Sequence, residues 1–206
     1  MQGQFALAFV DLTAYLLPGL VVLIPLVWLT QHQDAYQNAT LLKTIALLGA
    51  SYILGILIHR LSFVLVYPSD AFTGQSPIEH VLSRIPEIDL VATSMSRRLN
   101  IANLGRVKSY LYAQSLIAEK FPQSALAADR LHYLALLCRS LIISMIIVAA
   151  AAVLLLRRGN RWKSRYWWYS IPLGIAVCLL HRSFSLYENA SVLRTLRAYL
   201  IWASLQ

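Results

Sequence analysis

Two histidine–arginine pairs, His59-Arg60 and His181-Arg182, interrupt apolar runs, the first with apolar residues on both sides and the second near the end of its run, and Arg139 stands one turn inside the start of another. A guanidinium group is costly to bury in hydrocarbon, so each arginine must snorkel to an interface, face other helices or line water. Held inside, these groups suit an anion path or a lipid-headgroup site. Arg139 and Arg182 lie near the ends of their runs, which favours snorkelling, whereas Arg60 has apolar residues on both sides. His59 and His181 could serve as acid and base on a lipid or prenyl substrate, the imidazole being the side chain whose proton moves near neutral pH.

Other catalytic constellations are missing from the sequence. The histidines form no HExxH or comparable metal spacing, there is no GxSxG elbow, and no pair of carboxylates lies within the apolar runs. Cys138 and Cys178 sit far apart, each inside an apolar run, and read as small hydrophobes facing packed neighbours. No metal, cofactor or catalytic residue is therefore expected. Between the second and third apolar runs, Arg97, Arg98, Arg106 and Lys108 form a basic stretch, with Tyr110 and Tyr112 near enough to stack on a base. This is a candidate contact for a partner protein or a small nucleotide. Without a glycine-rich phosphate loop, a solvated helix face is the stronger reading, and nucleic acid is not expected as a partner.

The elements that must position these residues are four apolar stretches, Tyr15–Thr30, Leu42–Pro68, Leu134–Leu156 and Tyr166–Tyr187. Hydrophobic residues make up 58% of the 206-residue chain and charged residues 13%, against roughly a quarter charged in a soluble domain. The stretches show no strand-like alternation, and a lone segment can satisfy its own backbone in lipid only as a helix. The expected fold is all-α: an integral membrane four-helix bundle with a small helical extramembrane segment between spans two and three. Residues 1–66 would form the first membrane hairpin, 67–133 the extramembrane segment, 134–187 the second hairpin and 188–206 a C-terminal amphipathic helix lying on the membrane or on the protein. Met1–Val10 lacks the positive start of a secretory signal, so the first stretch is expected to be retained as an anchor.

Each stretch departs from plain hydrophobicity. Pro18-Gly19 and Pro25 interrupt the first and could make a hinge or a pore-facing break, or be tolerated membrane prolines. In the second, Ala46, Ala50, Ser51 and Gly55 lie on adjoining faces, and Ser51 with Gly55 makes a small-xxx-small pair suited to close packing within the chain or between copies. Trp28, Tyr36 and the cluster Tyr166–Tyr169 read as interface anchors. The runs through His59-Arg60 and His181-Arg182 resemble each other, each continuing to Ser and Phe, as a duplicated hairpin would.

The middle segment mixes acids and bases like a soluble domain. Ile88, Val91, Ala92, Met95, Leu99 and Ala102 recur at helical spacing, as do Val107, Leu111, Gln114, Ala118 and Phe121. Short amphipathic helices are expected there. Orientation stays open. Arg157, Arg158, Arg161, Lys163 and Arg165 crowd one short loop, which the positive-inside rule places in the cytoplasm and which would put the middle segment outside. The sensor-like surface of that segment argues the reverse.

Tyr15-Leu-Leu-Pro-Gly19, and Tyr52-Ile-Leu-Gly55 followed by His59-Arg60, resemble small four-span bacterial membrane proteins, some of which accompany anti-phage systems such as CRISPR and cyclic-nucleotide systems. The resemblance covers the first 65 residues and the span count. It implies a non-enzymatic, multi-pass inner-membrane effector that oligomerises and permeabilises the bilayer when a partner or small signal arrives. In that setting Pro18, Gly19, Pro25, Gly55, His59, Arg60, Arg139, His181 and Arg182 are the pore or gating candidates, with Arg60 and Arg139 setting ion preference. Two other readings are a membrane anchor for a partner protein and an enzyme acting on lipid or prenyl substrates.

Overall fold

The structure, a computed structural model, describes residues 2–29, 41–66, 77–101, 104–158 and 167–205. The anchor expected at Tyr36, the loop residues Arg161, Lys163 and Arg165, and Ala102 and Tyr166 lie outside the described residues, as do the side chains of Trp28, Arg157, Arg158, Trp167, Trp168 and Tyr169. Seven helices are described: α1 (Gln2–Leu29), α2 (Leu41–Val66), α3 (Pro77–Leu82), α4 (Glu87–Leu99), α5 (Arg106–Lys120), α6 (Pro122–Arg158) and α7 (Trp167–Ser204). The protein is all-helical, with no strand among the described residues. It divides into two compact units, Met1–Val66 with Leu136–Phe184, and Tyr67–Ala135 with Ser185–Gln206.

The long helices follow from where the breakers fall. After Pro122, which occupies the first position of α6 where a missing N–H costs nothing, neither proline nor glycine occurs before Gly159. At 1.5 Å per residue, α6 is about 55 Å long, well beyond the roughly 30 Å of a hydrocarbon layer. Its first turns belong to the second unit and the remainder to the first. In α7 the last breaker is Gly174, so the stretch expected as a separate C-terminal helix is the continuation of the same one. α1 continues unbroken through both Pro18 and Pro25, so neither proline ends the helix.

Among the described residues, two helices are long and apolar enough to cross a membrane, α2 over Thr44–Ser62 and α6 over Pro122–Leu154; α1 has a shorter apolar run, Leu12–Val27. Only 17% of the α2 window is buried. A core helix of a soluble domain would bury most of its apolar surface. Here Ile45, Ile53, Leu57 and Leu65 are exposed on α2, as are Leu154 on α6 and Ile171 and Leu179 on α7.

In the first unit, α1 and α2 approach to backbone contact. A Cβ on Gly19 would overlap the Ser51 carbonyl, and a Cβ on Gly55 would overlap the Tyr15 carbonyl. Ser51, Gly55, Ile58 and Ser62 form the buried seam of α2, at spacings of four, three and four residues; Ala14, Pro18 and Val22 form that of α1. Val22, Ile58 and Ile143 meet as a small apolar core. Ala46 and Ala50, expected to share in packing, are exposed. Cys138 is buried, but Cys178 is exposed rather than packed.

The second unit has a soluble-type core: Val81, Leu82, Ile85, Ile88, Val91 and Met95 from α3, α4 and their link, Tyr110, Ala113 and Ile117 from α5, and Val192, Leu196 and Tyr199 from α7. The end of α7 therefore lies on protein. α4 places Glu87 and Asp89 in its first turn and Arg97 and Arg98 in its last, matching the helix dipole. It ends with Asn100 in the left-handed region (φ 53°) and an Ile101 N–H to Ser96 carbonyl bond of 3.1 Å, the 6→1 bond of a Schellman turn. The α4 stripe lies as expected over Ile88, Val91 and Met95, but Leu99 is exposed. The expected α5 face is a correction: Leu111, Gln114, Ala118 and Phe121 are exposed, and Ser109, Tyr110, Ala113 and Ile117 are buried instead. The small Ser109 and Ala113 allow a closer approach than the bulkier face, and Ser109 satisfies its hydroxyl on the Gly105 carbonyl at 3.1 Å.

Tyr110 carries a pH dependence for this unit. Burial pushes its phenol pKa up, opposed by a hydrogen bond with Thr195 and reinforced by the Asp129 charge. A folded-state pKa above the unfolded value gives stability that is fully present below about pH 10 and is lost as pH rises through the folded pKa. Thermal melts above pH 10 should show a steeper loss in the natural protein than in Tyr110→Phe; equal slopes would rule this out.

Candidate functional site

In the first unit, polar side chains converge within an otherwise apolar bundle. Seven residues before its C-terminal Val66, α2 presents His59, and one turn later Ser62; α6 presents Arg139 and Ser140 side by side. Arg139 is 4% exposed, and its Nε donates to Ser62 Oγ at 3.1 Å. Ser62 Oγ donates in turn to the His59 carbonyl at 2.7 Å. His59 Nδ1 lies 3.2 Å from Ser140 Oγ, the tautomer setting which atom donates. Two neighbouring residues of α6 thus grip two residues of α2 one turn apart.

α1 closes the cluster. The Tyr15 ring meets the His59 ring edge-on at 5.2 Å and the Tyr52 ring edge-on at 5.9 Å. Ser144, one turn beyond Ser140, reaches the Pro18 carbonyl at 3.0 Å and the Ser140 carbonyl at 3.0 Å. Ser51 returns its hydroxyl to the Leu47 carbonyl at 2.8 Å. The buried hydroxyls are therefore hydrogen-bonded, as buried polar groups must be.

Chemically the cluster brings the Arg139 guanidinium together with the Ser62 and Ser140 hydroxyls and the His59 imidazole. It can lock α2 to α6, bind an anion, or pass a proton between His59 and Ser140. Sequence reasoning singled out His59 and Arg139, but missed Ser62, Ser140 and Tyr15 as their partners. The signal for Ser62 was its i+3 spacing from His59; nothing local could have linked it to Arg139.

The other candidates fall elsewhere. Pro18, Gly19 and Gly55 are buried in the α1–α2 contact and Pro25 is half-buried. Arg60 is exposed, on the other side of α2 from the seam that Ser62 belongs to. His181 and Arg182 are exposed, and the His181 ring lies 6.4 Å from that of Phe184. The two histidine–arginine pairs consequently differ: His59 joins the cluster while Arg60 is exposed, and His181 and Arg182 are both exposed.

In the second unit the basic stretch is dispersed. Arg106 forks onto Asp89 at 2.8 and 3.0 Å, an exposed pair worth at most about 1 kcal/mol. Arg97 and Lys108 are exposed and Tyr110 is core. Of this stretch, Arg98 and Tyr112 share a feature, a cleft of 340 Å³ that also takes in Tyr199 and Trp202. Among the described residues no three His, Cys, Asp or Glu side chains gather as a metal site. No protein-family model matches this chain, and no curated protein or solved structure matches it either.

Proposed function

We propose that the protein is a multi-pass membrane effector whose first unit spans the bilayer as four helices, α1, α2, the later part of α6 and the first part of α7. The observation that carries this reading is the combination in one unit of an exposed apolar outer surface with a buried Arg139 that donates to Ser62. Apolar side chains left exposed on α2 and α7 need lipid or another apolar surface to cover them. An ionisable group inside a membrane bundle marks a path or a switch, because its desolvation would otherwise be selected against. The Arg139–Ser62–His59–Ser140 cluster is then a latch between α2 and α6: closed, it seals the bundle; opened, it exposes a charged lining. The exposed Ala46, Gly49 and Ala50 of α2 suit the close approach of a second copy, and the bilayer and that copy are the partners. In the setting that the resemblance implies, the membrane is the bacterial inner membrane and the trigger is phage infection, relayed by a partner protein or a small nucleotide.

Two measurements test this. Single-cysteine variants at Gln33 and Ser164 should label from one side of the membrane and a variant at Ser94 from the other, as four spans require. Cells expressing the chain and given its trigger should lose membrane potential, read with a voltage-sensitive dye. Full potential and normal growth under those conditions would refute the effector reading. A second reading, an anchor for a partner protein, is favoured by the exposed Leu90, Leu111 and Ile201 of the second unit. Under it, deleting Pro77–Lys120 releases the partner and leaves permeability unchanged.

A further inference from the structure

Arg60 is the cation of α2 that the Arg139 cluster leaves aside. Ile53, Leu57, Arg60 and Val64 are all exposed, at spacings of four, three and four residues, the spacing of one helix face. The buried seam of Ser51, Gly55, Ile58 and Ser62 runs two residues out of phase with them, about half a turn away. Arg60 is therefore a charge on the outward side of a helix, with apolar side chains above and below it on the same face. Among the described residues no hydrogen bond or ion pair holds its guanidinium. Nor does the unit place an acid to answer it. α2 has none, residues 136–184 have none, and α1, the helix that carries Asp11, packs on the opposite seam.

We infer that Arg60 holds the phosphate of an anionic phospholipid, whose acyl chains lie along α2 over Leu57 and Ile53. The inference rests on the reading that the first unit spans the bilayer. α2 ends at Val66, so Arg60 stands about 9 Å short of the helix end, and its long stem can carry the charged head toward the headgroup layer. The guanidinium fork matches two phosphate oxygens at once. The chains have the length of helix they need: half of a hydrocarbon layer of roughly 30 Å corresponds to about ten residues, and Ile53 and Leu57 fall within that distance on the side away from Val66. Complementarity selects this class of lipid. A soluble anion answers the charge and leaves the apolar stripe bare, a neutral lipid covers the stripe and leaves the charge, and a zwitterionic lipid brings its own cation to the phosphate.

The test is native mass spectrometry of the full chain in detergent, offered equimolar dioleoyl-phosphatidylglycerol and dioleoyl-phosphatidylcholine. The expected result is preferential retention of the anionic lipid. Arg60→Gln should lower that preference by about fivefold, the worth of one cation at the headgroups, and Arg60→Lys, which keeps the charge, should restore most of it. Arg60 is on the outward face, so these variants leave the buried seam intact. Arg194→Gln, which removes an exposed charge from the second unit, controls for net charge and should retain lipid like the natural chain. Glycerol 3-phosphate at millimolar concentration, a head without chains, should displace no lipid. Equal retention of the two lipids, an unchanged preference in Arg60→Gln, an equal loss in Arg194→Gln, or displacement by glycerol 3-phosphate would overturn the inference. The membrane reading fails by a different result, release of the chain from membranes washed in alkaline carbonate.

Discussion

Gly55→Leu is expected to unseat α1 from α2, with the largest loss of stability of any single substitution in the first unit. The obstacle is backbone. Even an alanine methyl at position 55 would overlap the Tyr15 carbonyl, and one at Gly19 the Ser51 carbonyl. A side chain in the way can change rotamer, but a carbonyl within a helix moves only if the helix moves. Overpacking a filled core costs about 1–3 kcal/mol where side chains can yield; here the whole crossing must open, so the upper part of that range is expected for Gly55→Ala and more for Gly55→Leu. The separation would also pull Tyr15 away from the His59 ring and Pro18 away from Ser144. The internal control is Gly49, in the same helix, where a Cβ meets nothing within 4 Å. Gly49→Ala should be neutral or stabilising by roughly 0.5–1 kcal/mol, through helix propensity alone. Unfolding in mixed detergent, followed by circular dichroism, separates the two. If Gly55→Leu unfolds at the same denaturant fraction as Gly49→Ala, the reciprocal glycine contact does not hold the hairpin.

Half of this crossing was legible in the sequence. Ser51 and Gly55, four residues apart and small, announce a close contact from α2 alone, because small residues on one face permit backbone approach. Gly19 beside Pro18 reads equally well as a hinge, since proline and glycine are also what a broken helix would contain. Only the register of α1 against α2, which sets Tyr15 on Gly55 and Ser51 on Gly19, decides between the readings, and register between helices leaves no mark in either one. Helix class was legible because it depends on local pattern, but extent was misjudged: nothing between Gly174 and Ser204 breaks α7, yet 188–206 was expected as a separate helix, and α6 begins at Pro122 rather than at Leu134. The face of α5 was misjudged because two stripes compete there. The larger side chains Leu111 and Phe121 looked like core, while the structure packs the stripe whose small residues allow close approach. Arg139 was legible as a pore candidate, but its partners were not. Near the end of its apolar run it had a route to the interface, and its partner Ser62 is 77 residues away in sequence.

Arg139→Met and Ser62→Ala should both destabilise the first unit. Arg139→Met removes a buried guanidinium and leaves the groups it bonds short of a donor, at a cost of about 1–3 kcal/mol; methionine follows the aliphatic stem of arginine, is flexible enough to fill the remaining space, and leaves Ser62 still donating to the His59 carbonyl. Ser62→Ala keeps the charge and removes the hydroxyl that accepts from Arg139 Nε, taking a hydrogen bond from a buried charged donor at a cost of about 1–3 kcal/mol. If the cluster is the latch of the effector, the two variants part in function. Arg139→Met makes the bundle seal permanently, because the charge that favours an open, hydrated state is gone, and triggered cells keep their membrane potential. Ser62→Ala loosens the closed state and depolarises cells without the trigger. Paired measurements of detergent unfolding and dye-reported potential read both axes at once. An Arg139→Met chain that still depolarises cells fully on triggering would place the path elsewhere in the bundle and reduce Arg139 to a structural charge.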